Sequence, residues 1–98
     1  MIDKKERAQL RKLAILEDSI YTVGKLGISD NLIATLSDAL DAKELIKISV
    51  LKTAPAGIKD IANQLAETLN ADIVTLIGFK IILYRRSDKK NIKHRLDI

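Results

Sequence analysis

Apolar residues recur along this 98-residue chain with two periods, one helical and one alternating. Leu10, Leu13 and Ala14 fall at helical spacing behind Asp3 and Glu6, whose separation is that of a capping box, which predicts a first helix from residue 3 to about 15. Lys4, Arg7 and Arg11 share a stripe on it, away from the apolar one. Ser19-Ile20-Tyr21-Thr22-Val23 is β-branched and aromatic, a short strand stopped by Gly24. Ser29 then suits a helix N-cap, with Ile28 and Ile33 at the positions of a hydrophobic staple and Asp30 in the first turn. Leu32, Ile33, Leu36, Ala39 and Leu40 trace the apolar face of that second helix.

In Leu45-Ile46-Lys47-Ile48-Ser49-Val50-Leu51 the apolar residues Ile46, Ile48 and Val50 face one way, Lys47 and Ser49 the other. Pro55 and Gly57 mark a turn, and Ile58, Ile61, Ala62, Leu65 and Leu69 predict a third helix ending near Asn70. Residues 72–77 and 80–85 read as two strands joined by Gly78-Phe79, too close for anything but an antiparallel hairpin. The order is αβαβαββ. Two strand–helix–strand crossovers favour right-handed parallel connections and the hairpin adds an antiparallel strand. The expected fold is therefore α/β in the two-layer α+β sense, a mixed four-stranded sheet with helices packed on it. Strand order stays open.

Length and composition narrow the function classes. Ninety-eight residues suit one domain, and 47% hydrophobic with 31% charged residues is a globular balance. There is no Cys, hence no disulfide, thiolate metal site or thiol nucleophile. The N-terminus lacks the apolar stretch of a signal peptide and no apolar run would span a bilayer, so a cytoplasmic protein without membrane contact is expected. The net charge of +4 is segregated. Residues 1–16 carry Lys4, Lys5, Arg7, Arg11 and Lys12 against Asp3 and Glu6, and residues 80–98 carry seven Lys/Arg against two Asp. The middle of the chain is acidic. Such a distribution suits basic ends that meet a polyanion and a middle that builds the scaffold.

Two places could carry chemistry. Gly24-Lys25-Leu26-Gly27 joins the first strand to the second helix. Its glycines permit unusual backbone angles and close approach, Lys25 adds a charge at the tip, and the helix start offers N–H donors. Single-stranded RNA-binding KH domains clamp a sugar–phosphate backbone with a GxxG loop of this kind. The competing reading is a plain tight turn, and the Asp30 carboxylate would compete with a phosphate. An aspartate at Gly24 or Gly27 is expected to weaken contact with a phosphate while leaving the fold largely intact. The second place is the last strand, where Lys80, Ile82 and Tyr84 share a face, a cation and an aromatic ring on one side, with Arg85 on the other. Phe79 could stack on a ligand or plug one end of the core, and the plug is the favoured expectation. No enzyme is expected. The lone His94 sits in the basic tail, and Asp38 and Asp41 read as a solvated helix face.

The blocks Leu10-Arg11-Lys12-Leu13-Ala14, Val23-Gly24-Lys25-Leu26-Gly27-Ile28-Ser29, Ala39 to Ile48, and Ile77-Gly78 with Leu83-Tyr84-Arg85 resemble, in this order, those of the CRM domain family. The resemblance runs from about residue 8 to 86, and a lone domain of this length is similar to the single-domain bacterial YhbY-like members. It implies a fold similar to the C-terminal domain of translation initiation factor three, RNA as partner, association with large-subunit ribosomal RNA or its precursor particles, and a role in ribosome assembly. RNA contact is then expected at Gly24, Lys25, Leu26 and Gly27, with Arg7, Arg11, Lys12, Lys80, Tyr84 and Arg85 as flanking surface. No cofactor or metal is expected. The expected organisation is one domain over residues 1–86 and a basic tail over 87–98, acting as a monomer. Many relatives carry Lys directly after the glycine at 78, where this chain has Phe79 and then Lys80. The alternative is a basic protein–protein interaction module that does not touch RNA.

Overall fold

The structure is a computed structural model, and it describes residues 2–17, 19 and 21–87. The chain forms α1 (Lys4–Ala14), β1 (Tyr21–Val23), α2 (Asp30–Lys43), β2 (Leu45–Val50), α3 (Ile58–Leu69), β3 (Asp72–Ile77) and β4 (Lys80–Tyr84). The αβαβαββ order and the mixed four-stranded sheet match the expectation from the sequence. Ile20 and the tail from residue 88, His94 included, lie outside the described residues.

The strand order is β1-β2-β4-β3. β1 runs parallel to β2, while β4 is antiparallel to both β2 and β3. The hairpin therefore does not simply extend the sheet: β4 inserts beside β2 and pushes β3 to the edge. Gly78, at φ +58, supplies the left-handed backbone that a two-residue hairpin turn needs at its first position. A bulge between Ile73 and Thr75 in β3 gives Val74 no partner on β4.

Helices lie on both sides of the sheet. On one face α2 and α3 bury Leu36, Leu40, Ile61 and Leu65 against Ile46, Ile48, Ile81 and Leu83. On the other, α1 covers Leu45, Val74, Ile82 and Tyr84 with Leu10 and Ala14. The N-cap of α1 has the expected capping box, with the Asp3 side chain accepting from the Glu6 N–H at 2.8 Å and the Glu6 side chain accepting from the Asp3 N–H at 3.1 Å. A cap contributes about 1 kcal/mol, whereas a fully buried leucine contributes about 1.5–3 kcal/mol. An eleven-residue helix is marginal by itself. Docking of Leu10, with Ala14, Leu13 and Ile2 beside it, therefore holds α1 more than its own helicity does.

At the far end of α2, Glu44 takes φ 65 and donates its N–H to the Leu40 carbonyl at 2.8 Å. Its side chain is fully buried and its carboxylate accepts the Ser87 N–H at 2.7 Å. α3 closes on left-handed Asn70, as its sequence suggested.

Candidate nucleic-acid interface

The interface begins where β1 and β2 end side by side. The Leu51 N–H donates to the Val23 carbonyl at 2.9 Å, and the Val50 N–H donates to the Phe79 carbonyl at 2.7 Å. These bonds bring three connections to one end of the sheet: the Gly24–Gly27 loop, residues 51–57, and the Gly78-Phe79 turn. The Gly27 N–H donates to the Gly24 carbonyl at 2.9 Å, which closes the loop as a tight turn with Lys25 and Leu26 at its exposed tip.

The two glycines are not equivalent. Gly27 sits at φ +70, and a Cβ there would lie 2.9 Å from the Pro55 ring. At Gly24 a Cβ would make an ordinary 3.5 Å contact with Leu51. The expectation that an aspartate at Gly27 leaves the fold largely intact is corrected: backbone angle and Pro55 both oppose any side chain there. Just beyond the loop, the Ser29 hydroxyl accepts the Leu32 N–H at 3.1 Å, so one donor at the start of α2 is already satisfied. Asp30 follows it in the first turn.

Beside this loop, α1 leaves part of its sheet face open. The opening is a groove floored by Lys47 and Ser49 of β2 and Lys80 of β4, with Leu51, Lys52 and Phe79 at its rim. Ser49 pairs with Lys80 across the two strands and its hydroxyl hydrogen-bonds that of Ser19. The Lys47 ammonium donates to the Ala14 carbonyl at 3.4 Å, at the negative end of α1, linking the groove to the turn of α1 that carries Arg11 and Lys12. Phe79 is 57% exposed. The expected plug is thus corrected: the hairpin turn holds the ring at the surface, where the Lys52 ammonium stands 5.9 Å from its centroid.

The remaining residues singled out in the sequence divide by place. Lys80, Arg11 and Lys12 are exposed, Lys80 at the loop end and the other two on α1. Arg7 is turned to the edge strand, where its guanidinium donates to the carbonyls of Ile73 at 2.9 Å and Val74 at 3.2 Å, beside the bulge. Tyr84 does share a face with Lys80, but α1 covers that end of the face and leaves the ring 4% exposed. It offers no stacking surface. Burial raises the phenol above its ordinary range, the Glu44 carboxylate adds to this, and Arg86 opposes it. Arg85 lies on the other face, where its guanidinium donates to the Leu69 carbonyl at 2.9 Å, the Ser37 carbonyl at 2.9 Å and Asp41 at 3.0 Å. Asp41 is therefore not simply a solvated carboxylate. Lys47 and Lys52 were not singled out as ligand contacts, although the alternation of β2 had set Lys47 apart from the core.

The domain of the CRS1 / YhbY (CRM) type matches residues 2–85. The chain belongs to that family. Over 89% of its length this CRM domain is 38% identical to the Bacillus subtilis protein named "Probable RNA-binding protein YqeI", of which the match covers 91%. It is 27% identical to a Haemophilus influenzae protein named "RNA-binding protein", over 94% of this chain and 93% of that one. The solution structure of a hypothetical Staphylococcus aureus protein, described as a candidate RNA-binding protein, superposes with a TM-score of 0.78 at 37% identity, covering 95% of this chain and 98% of that one.

Proposed function

We propose that this CRM domain binds RNA, holding the sugar–phosphate backbone at the Gly24–Gly27 loop and its flanking lysines, and that its target is the RNA of precursor large ribosomal subunits, whose assembly it assists. On this reading it acts in the cytoplasm, as a monomer, by binding rather than by catalysis. The observation that carries the proposal is the loop itself. The Gly24–Gly27 turn holds Lys25 and Leu26 exposed at its tip, and the hydrogen bonds at this end of the sheet bring the turns that carry Lys52 and Lys80 to the same end. A polyanionic chain can approach such a tip closely and be met by its ammonium groups. The names of the relatives at 38% and 27% identity point to the same class of ligand.

Backbone contact carries little sequence information, so selectivity would come from RNA shape or neighbouring proteins. Short single-stranded RNAs of equal length and scrambled sequence should then bind within about tenfold of one another, roughly 1.4 kcal/mol. Gly24→Asp is the sharper loop variant, since its backbone tolerates a side chain. It should keep the native circular dichroism spectrum and lose RNA affinity, while Gly24→Ala keeps both. Unchanged affinity in folded Gly24→Asp would remove the loop from the mechanism. Affinity insensitive to salt would instead indicate a protein-docking surface, because phosphate contacts must release counterions. Sedimentation of a cell extract, with the protein located among free, precursor and mature subunit fractions, tests the ribosomal target.

A further inference from the structure

We infer that the groove beside the loop seats one unstacked base of the bound RNA, its ring against Phe79 and its flanking phosphates on Lys47, Lys52 and Lys80. This rests on the RNA-binding reading above and adds to it a base site separate from the backbone clamp.

The groove measures about 590 Å³, within the usual range of small-ligand sites, roughly 300–1,000 Å³. Its lining combines two properties seldom found together on a soluble surface. Leu51, Ile77 and Phe79 leave half or more of their area to water, at 50%, 50% and 57%. An apolar patch of this kind, rimmed by polar groups, is the signature of a surface that meets a partner. Three lysines line it, Lys47 with its ammonium also donating to the Ala14 carbonyl, and among the described residues no carboxylate does. Its complement is therefore an anion that also carries a flat apolar face, which describes a nucleotide. A lipid tail would not call for the lysines, and an acidic peptide would not call for the ring.

Local structure favours the arrangement. Lys47 and Ser49 lie two apart on β2 and so point to the same side, and Lys80 stands directly across from Ser49. Lys47 and Lys80 are thus spread along the floor with Lys52 at the rim, an arrangement that meets successive phosphates while the base between them turns inward. Phe79 is held by a two-residue turn whose carbonyl accepts the Val50 N–H at 2.7 Å, so the ring is presented from an ordered backbone. Stacking on one aromatic ring is tolerant of base identity, which accords with weak sequence preference.

The chain contains no Trp, so a Phe79→Trp variant places a single tryptophan at the groove. Titrated with a short oligoadenylate, its fluorescence should be quenched and the quenching should saturate, whereas an abasic strand of equal length should bind about tenfold more weakly and quench little. Phe79→Ala, with folding checked by circular dichroism, should bind oligoadenylate about tenfold more weakly than the parent chain, bind the abasic strand equally, and keep the same salt dependence. Equal binding of oligoadenylate by Phe79→Ala and the parent chain, or quenching by poly-glutamate as strong as by oligoadenylate, would overturn the base site while leaving backbone binding in place. If the parent chain bound neither strand, the RNA-binding reading itself would fail and this inference with it.

Discussion

Where β4 leaves the sheet, Arg85 turns its guanidinium inward to Ser37, Leu69 and Asp41, and Ser87 is fastened to Glu44 and to the Asp41 carbonyl. At the end where β4 begins, the ammonium groups of Lys80 and of Lys25 in the glycine loop have no salt bridge or hydrogen bond among the described residues, and Leu26, Leu51 and Phe79 stand exposed. Charge alone does not distinguish the two ends. They differ in what lies within reach: one has the Leu69 carbonyl at the end of α3 and a carboxylate on α2, while the other has glycine turns and a groove on the sheet face. Arg85, ringed by internal acceptors, serves the fold, whereas on the proposed reading Lys25 and Lys80 meet the RNA.

Removing Arg85 is the strongest way to break that comparison. Arg85→Ala strips partners from the Leu69 and Ser37 carbonyls and from Asp41, and should lower stability by about 2–3 kcal/mol, read from the urea midpoint, with RNA affinity retained in the folded fraction. A fall in affinity at undiminished stability would move the interface to this end. The converse variant, Lys25→Ala with Lys80→Ala, should leave stability within about 0.5 kcal/mol and reduce the salt slope of RNA binding by about 0.7 for each phosphate that is no longer neutralised.

The first helix sharpens the contrast within one element. Arg7→Ala should cost about 1 kcal/mol in stability, because its bonds to the Ile73 and Val74 carbonyls tie α1 to the edge strand, with little change in salt slope. Arg11→Ala with Lys12→Ala should do the reverse. A fall in slope for Arg7→Ala equal to that of the pair would mean that its guanidinium leaves β3 to meet RNA.

The smallest effect is expected at Tyr84. Its phenol is raised from 10.0, so near neutral pH both folded and unfolded chains hold the proton and ionisation costs nothing. Above the ordinary phenol value the unfolded chain releases it first, and the stabilisation is lost as pH rises toward the higher folded value. Tyr84→Phe should therefore be within about 1 kcal/mol of the parent at pH 7 and should lose less stability than the parent above pH 10. Parallel pH profiles for the two proteins would show that the hydroxyl is not desolvated.

Much of the scaffold could be read from local signals, since a cap, a staple and a run such as Leu36, Ala39 and Leu40 act over a few residues. The loop could be placed in the same way. The rest of the site could not. Alternation showed that Lys47 and Ser49 oppose the core residues of β2, and that Lys80 and Tyr84 share a face of β4, but it carried no information on what covers that face. The course of α1 across the sheet decides it, burying Tyr84 and leaving Lys80 and Lys47 at an open groove.

Charge pattern, element order and the position of the glycine loop were thus properties of the sequence itself, because each depends on neighbours three or four residues away. Strand order, the different tolerance of Gly24 and Gly27, the exposure of Phe79 and the capture of Arg85 belonged to the tertiary structure. Each depends on an atom far along the chain, such as Pro55 against Gly27 or Leu69 against Arg85, which only packing brings within reach.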